Sequence, residues 1–397
     1  MKKTQLIEGL FNMRFNEVYE QFQKKRLSCD EAAEILGVSI RTFHRKRHSF
    51  EAEDFDGSFD KRLDRPASNR AADWEVTMTT KLYAELYQNF SVKHFYSFML
   101  RKHSLQRSYV WTKNTLLQAG LIQKGTQGGK HRIRRERRPM EGMMLHQDGS
   151  THRWIPALDY DLDLIVTLDD ANCKITSIFL VMQEGTHSTF RGLQETIERY
   201  GIFCSFYTDR GSHYFYTPKA GEKIDKNRLT QVGRALKQLG IEHIPAYSPE
   251  ARGRSERQFG TLQGRLPKEF ALYNITTIEQ ANRYLEKEYR GRHNDEFSVA
   301  AASPETAYVQ WIGKPLADIL CVQESRIVQR DNTVHYDGMI LQIPKNEYRH
   351  HYVRAGIQVR QYSNGSLAIY YGHLCLGQYT AEGVLIGARA TKEVGHG

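Results

Sequence analysis

Between about residues 144 and 266 the chain alternates apolar, strand-like runs with amphipathic helical stretches in one order, and that order leaves few folds open. A first strand should run just inside this region. β-Branched runs at 163–168 (DLIVTL) and 175–182 (ITSIFLVM) flank Asp169-Asp170-Ala171-Asn172, which reads as a hairpin turn. A helix fits 186–200, and a strand at 202–207 ends in Thr208-Asp209. A helix over 227–239 closed by Gly240, a short strand at 241–244 and a helix over about 250–266 that stops at Pro267 complete the series. The prediction is a mixed sheet covered by helices.

What precedes this region is helical. Residues 27–47 (LSCDEAAEILGVSIRTFHRKR) read as a helix-turn-helix. Ser28 with Glu31 makes a capping box, Ala33 is small where two helices would cross, Gly37 supplies the turn and Ser39 caps the second helix. Leu36, Val38, Ile40 and Phe43 are expected to close a small core, which leaves Arg41, Thr42, His44, Arg45 and Arg47 outward as a groove-reading set. A helical hairpin inside a larger fold is the bland alternative. Residues 50–70 shift to acidic, Gly- and Pro-containing sequence and read as a linker. Apolar spacing at Trp74, Met78, Leu82 and Leu86, then at Phe95, Phe98 and Met99, predicts helices over 72–88 and 92–103. A third, capped by Ser108 and ending at Gly120, offers Trp111, Thr112, Lys113 and Thr115. Together they look like a second, less specific helix-turn-helix.

Charge is uneven along the chain. Residues 1–140 hold 27 Lys and Arg against 16 Asp and Glu, while residues 141–397 hold 29 against 30. Within residues 101–140 there are 11 basic residues and one acidic one, an electrostatic footprint for phosphate backbones. Lys130, Arg132, Arg134, Arg135, Arg137 and Arg138 form its basic bridge, which could lie along a duplex or simply be a solvated linker. The five cysteines are far apart with no C-x-x-C pair, against both a zinc knuckle and a disulfide framework. The first residues carry no long apolar run, so neither a signal peptide nor a membrane span is expected there, and a cytoplasmic protein is. After about 320 strand-like segments return, with Asn364-Gly365 as a strong hairpin signal, and a small β-barrel is expected. The layout anticipated is a DNA-binding domain at 1–60, a second helical one at 70–122, a basic linker at 123–140, an α/β core at 141–310 and the barrel at 320–390.

Three acidic residues stand where strand and helix ends meet ligands. Asp148 lies in LHQDGSTHRW, Asp209 in FYTDRGSHY at the end of an apolar strand, and Glu256 in SPEARGRSERQFGTLQGRL. On that last helix Phe259, Leu262 and Leu266 form the buried seam, and Arg252, Glu256, Gly260 and Gln263 share the adjacent stripe. Three convergent carboxylates are the donor set for a pair of Mg²⁺ ions, which a phosphodiester displacement needs to stabilise its entering and leaving oxygens. Asp169 and Asp170 read instead as hairpin residues, and Glu250 as a helix-start residue offsetting the dipole. His213 could orient a water or contact DNA, or be a plain surface histidine. His146, His152 and Trp154 flank the first strand and are not read as ligands.

These three segments resemble the catalytic core of DDE transposases of the retroviral-integrase superfamily. Bacterial insertion-sequence transposases with an N-terminal helix-turn-helix, the ISNCY group in particular, are the nearest likeness. Asp148-Gly149-Ser150 with His152 and Trp154 matches the family's first block, Thr208 to Ser212 its second, and Ser248-Pro249 through Gly253 to Glu256 its third. The departures are Arg210 where many relatives have Asn, and a longer interval between Asp209 and Glu256, accommodated near 214–230.

The resemblance implies a ribonuclease-H-like core and a DDE polynucleotidyl transferase. Asp148, Asp209 and Glu256 would be its catalytic and metal-holding residues, with two Mg²⁺ ions per site and Mn²⁺ as a substitute. Arg252, Arg254 and Arg257 would hold phosphates nearby. It further implies cutting at the terminal inverted repeats of a mobile element, strand transfer of the 3′-end into target DNA, a homodimer or higher oligomer assembled on double-stranded DNA, and association with the nucleoid. The alternative is a non-catalytic, sequence-specific DNA-binding regulator built on the same fold; a nuclease that only hydrolyses is a third reading.

Overall fold

The computed structural model describes residues 3–53, 70–124, 136–217, 224–225, 228–246 and 253–387. The chain divides into two compact units, Met1–Met78 and Thr79–Gly397.

In the first unit, α1 (Lys3–Gln23) packs with α2 (Cys29–Leu36) and α3 (Ile40–Glu53) around Phe15, Val18, Tyr19, Ala33, Leu36 and Phe43. The capping box at the start of α2 is formed: Ser28 Oγ accepts from the Glu31 N–H, and the Glu31 carboxylate accepts from the Ser28 N–H at 2.8 Å. Gly37 ends α2 in the left-handed region at φ 64°, where a side chain would be strained. Ser39 Oγ accepts from the Thr42 N–H at 3.2 Å and starts α3. Ile40, expected in the core, is 46% exposed. The long helix α1 supplies the aromatic mass that fills its place.

The boundary between the units falls within α4 (Asp73–Glu85), which is followed by α5 (Val92–Lys102) and α6 (Tyr109–Gln118). The apolar face expected for 72–88 is not the buried one, since Trp74 is 66% and Leu86 54% exposed. Tyr83 and Tyr87 turn inward instead, onto Phe95 and Phe98. Aromatic edge-to-face packing selects that face over the aliphatic one.

The α/β region has the predicted order. A five-stranded sheet runs β3-β2-β1-β4-β5, built from β1 (Met144–His152), β2 (Leu162–Asp169), β3 (Ile175–Val181), β4 (Ser205–Thr208) and β5 (Glu242–Pro245). β1, β2 and β3 are antiparallel neighbours, whereas β4 lies parallel to β1 and β5 parallel to β4. This mixed sheet with its helices fits a ribonuclease-H-like core. Every residue of β2 is buried, as its unbroken apolar run requires, because both faces are covered. On one face α7 (Thr186–Tyr200) and α8 (Gln231–Leu239) pack Phe190, Leu193, Ile197, Val232 and Leu236 against Leu145 and Phe206. On the other, α9 (Gly253–Leu272) sets Phe259, Leu262, Leu266 and Phe270 against Leu164, Val166 and Leu168.

α9 does not stop at Pro267. A proline inside a helix removes one backbone hydrogen bond. Here Leu266 and Phe270, both fully buried, and the buried Glu269 hold the last turns in place. α10 (Ile278–Tyr284) and α11 (Arg290–Phe297), joined by a single π turn, close this layer.

The C-terminal segment is not the expected barrel. Among the described residues it forms a five-stranded sheet in the order β12-β11-β10-β9-β6, whose edge strands do not meet, plus a separate β7–β8 hairpin. The strands are β6 (Val322–Ile327), β7 (Thr333–Tyr336), β8 (Met339–Gln342), β9 (Gly356–Gln361), β10 (Leu367–Tyr371), β11 (Leu374–Tyr379) and β12 (Leu385–Gly387). β12 is only three residues long, too short an edge to close the sheet. The Asn364-Gly365 hairpin joins β9 to β10 as expected, with Gly365 at φ 83°. This sheet is sewn to α8. Arg234 donates to the carbonyls of Ile319 at 3.1 Å and Cys321 at 2.5 Å, and Gln231 exchanges two hydrogen bonds with the backbone of Gln323.

Candidate active site

The parallel pairing of β1 with β4 aligns Met144 with Ser205, Leu145 with Phe206 and His146 with Tyr207. Two residues beyond the last pair, on each strand, stand Asp148 and Asp209. The topology therefore delivers two carboxylates, 61 positions apart in sequence, to one level of the sheet, Asp148 midway along β1 and Asp209 just past the end of β4. Both are half-buried. Asp148 Oδ1 accepts from the Gly149 N–H at 3.1 Å, and Asp209 Oδ1 from the Gly211 N–H at 2.9 Å, so each carboxylate is oriented by backbone just after it.

Glu256 lies in the first turn of α9 and is exposed. Gln263 of the same helix donates to Ser150 Oγ at 3.1 Å, which places α9 over the stretch of β1 that carries Asp148. Glu256 shares the Gln263 stripe two turns earlier, about 10 Å along the helix axis. Among the described residues, no three His, Cys, Asp or Glu side chains come close enough together to hold a metal ion. Asp148, Asp209 and Glu256 would offer carboxylate oxygens, the chemistry a hard divalent cation takes.

Below the strand ends lies a polar network that sequence reasoning missed. Tyr214 is buried, and its hydroxyl lies 3.1 Å from Gln147 Oε1 and 3.3 Å from Glu184 Oε1, either of which can accept its proton. Burial first, then the charges of Glu184, Asp209 and Asp148, push this phenol well above its ordinary range. His213 Nε2 faces Glu184 Oε1 at 3.6 Å. Thr208 Oγ1 pairs with His243 Nε2 at 3.0 Å, and burial drives the His243 imidazole down to about 3, so it is neutral. Glu184 and Tyr214 lie in no recognisable spacing, and only the fold brings them here.

The remaining acidic residues and histidines take structural places. Asp169 Oδ1 accepts from the Ala171 N–H at 2.9 Å within the hairpin, and its Oδ2 from the Gly142 N–H at 2.8 Å and the Tyr308 hydroxyl at 2.9 Å. Asp170 accepts from His146 Nε2 at 2.8 Å and the Arg138 N–H at 2.7 Å. Trp154 is buried and donates to the Ser150 carbonyl at 2.9 Å.

The basic residues divide. Arg41, His44 and Arg45 are exposed on α3, whereas Thr42 is partly engaged with Ser39 and Arg47 pairs with Glu51 at 3.3 Å. On α6 Lys113 is exposed and Trp111 half-buried under Arg107, but Thr112 and Thr115, expected to be available, are buried. Arg137 donates to the Ala171 carbonyl at 3.4 Å beside an exposed Arg138, and Arg257 is exposed. Lys130, Arg132, Arg134, Arg135, Glu250 and Arg252, together with the Arg254 side chain, lie outside the described residues.

No family model matches the chain. Among curated proteins, y4bF of Sinorhizobium fredii (strain NGR234), which carries a transposase name, is 28% identical over 360 residues, 90% of this chain and 78% of that protein. The transposase for insertion sequence IS1202 of Streptococcus pneumoniae is 32% identical over 163 residues, 41% of this chain and 34% of that one. By sequence the chain is a relative of bacterial transposases. Among solved structures, the HTLV-2 integrase catalytic core domain in complex with magnesium matches at 16% identity over 38% of this chain and 88% of that one, with a TM-score of 0.28. A simian T-cell lymphotropic virus intasome bound to PP2A regulatory subunit B56 gamma matches at 13% identity over 78% and 99%, with a TM-score of 0.32. At such scores the structural likeness decides nothing. No helix among the described residues of this transposase relative is long and apolar enough to cross a membrane.

Proposed function

We propose that the chain is a DNA transposase of the DDE type, cutting at the ends of a mobile element and transferring the 3′-end into target DNA. The observation that carries this reading is the pair Asp148 and Asp209 at one level of two adjacent parallel strands, midway along β1 and just past β4, beneath the helix that bears Glu256. Asp148, Asp209 and Glu256 would hold Mg²⁺, whose positive charge serves the entering and leaving oxygens of an in-line displacement at phosphorus.

The chain's own residues do the rest. Backbone N–H groups of Gly149 and Gly211 orient the two aspartates. Arg257, exposed one position after Glu256, is available to a phosphate. The exposed Arg41, His44 and Arg45 of α3 would read the terminal repeats, with Lys113 on α6 and the basic bridge adding phosphate contacts. Two ends must be brought together before strand transfer, so the working form is an oligomer assembled on DNA; this step rests on likeness to transposases.

The deciding experiment incubates the full-length protein with duplex carrying the inverted repeats that flank its gene, in Mg²⁺ or Mn²⁺. Cleaved ends and joined products are expected. Normal binding without cutting would replace this reading with a DNA-binding regulator, and nicks without joined product with a plain nuclease.

A further inference from the structure

Glu184 lies just past β3 and ahead of α7, where its own N–H donates to Asp163 Oδ2 at 2.7 Å and fixes the start of the side chain. From there the carboxylate reaches two ways. Oε1 lies 3.3 Å from the Tyr214 hydroxyl and 3.6 Å from His213 Nε2, a nitrogen sealed from solvent with no partner within hydrogen-bond distance. Oε2 lies over Gly149. A methyl group at Gly149 would stand 2.8 Å from the Glu184 carboxyl carbon, and nearer still to that oxygen.

Gly149 sits in β1 with no left-handed φ, so conformation does not demand glycine there. The Glu184 carboxylate does. Since the Gly149 N–H donates to Asp148 Oδ1, any displacement of this backbone is passed directly to that aspartate. On the other side, a methyl at Gly211 would lie 3.1 Å from Asp209 Oδ1 and 3.2 Å from the His213 ring, so imidazole and carboxylate flank the same glycine.

We propose that Glu184 is a positioning residue of the site, its carboxylate clamped between the Gly149 backbone and His213 so that Asp148 and Asp209 meet a DNA phosphate at a fixed separation. This rests on the transposase reading above. Glu184 acts through Gly149 and His213, not on the substrate, and the Tyr214 hydroxyl lies against it from beneath, with one proton to give either to Glu184 or to Gln147, the residue before Asp148.

The test is a double-mutant cycle in the full-length protein, on the same end-bearing duplex in Mg²⁺, with end binding, cleavage rate and melting temperature each measured. Glu184→Ala should slow cleavage about 10- to 100-fold with end binding unchanged, the usual scale for a residue that orients a metal-site ligand. Glu184→Gln keeps the volume and an acceptor for Tyr214, and should recover part of the rate; it also carries the test should the alanine variant not fold. Gly149→Ala should be slow too, yet Gly149→Ala combined with Glu184→Ala should be no slower than Glu184→Ala alone, because the group that the new methyl strikes is gone. Wild-type cleavage by Glu184→Ala, or losses that multiply in the double variant, would overturn the proposal while leaving the transposase reading intact. A wild-type protein that binds ends and never cuts would sink that reading, and this one with it.

Discussion

His94 Nε2 donates to Glu269 Oε1 at 2.8 Å, and both side chains are sealed from solvent. The pair joins α5 to the C-terminal half of α9, the helix whose first turn carries Glu256. Arg292 and the Tyr284 hydroxyl also donate to the Glu269 carboxylate, giving one buried anion three donors from three elements. Burial alone would raise the Glu269 carboxyl, but the His94 hydrogen bond and the Arg292 charge outweigh it and hold it below the usual range. His94 is shifted down by burial and is the neutral partner.

Breaking this cluster should be costly. Glu269→Ala strands Arg292 and leaves His94 unpaired, and is expected to destabilise the larger unit by about 3 kcal/mol or more. Glu269→Gln, which keeps an acceptor, should cost less. Calorimetric melting of the full-length variants measures both. A Glu269→Ala protein that melts with the wild type would mean the cluster is not formed in solution.

Stability should fall on the acid side before most carboxylates titrate. His293, against Tyr289 and Phe297 and near Arg265, is pushed down to about 4 by burial, and His243 to about 3, from an ordinary value of 6.5. A histidine with a depressed folded-state pKa takes up its proton more readily when unfolded. The stability it allows is therefore whole above about pH 6.5 and is lost as pH falls toward those lower values. His94 and the depressed Glu269 carboxyl act with the same sign. Melting temperature should be flat above pH 7 and drop steadily between pH 6 and 4, on scales set by these shifts. His293→Gln should flatten part of that slope.

Asp209→Asn should abolish cleavage and leave end binding within a few-fold of wild type, since it removes a proposed metal ligand and no DNA-reading side chain. Gel-shift and cleavage assays on one DNA separate the two properties. Parallel loss of both by a protein that still melts normally would place Asp209 in the wrong role.

Arg41→Ala and Arg45→Ala should do the reverse. Each should weaken end binding and lower the slope of log affinity against log salt by about one if its contact is to a phosphate. Affinity measured across a salt series decides this, and an unchanged slope and affinity would take α3 off the DNA.

Much of this was legible in the residues. The order of strands and helices in the core, the Asp148 and Asp209 placements, the Ser28–Glu31 box and the Asn364-Gly365 hairpin all follow from local patterns that the fold obeys. The failures share a cause, which is tertiary packing overriding a local signal. Pro267 reads as a stop, yet its helix is pinned on both sides by buried Leu266 and Phe270. Trp74 and Leu86 read as a core face, yet an aromatic cluster around Tyr87 buries the other one. Thr112 and Thr115 read as available because polar residues usually are, and both lie in the packing surface of α6. Glu184 could not be found in advance, because nothing near it in sequence reveals that Gly149, His213 and Tyr214 will converge on it.

The seam between α8 and the C-terminal sheet makes the end of the gene as sensitive as its middle. Arg234 gives two of its hydrogen bonds to carbonyls of residues 319 and 321, so a premature stop codon just upstream of Leu316 would leave that cation only Gln231 and Gln238 of its own helix, on the layer that covers β1 and β4. Chains truncated there should therefore lose stability as whole proteins and not persist as trimmed but folded ones.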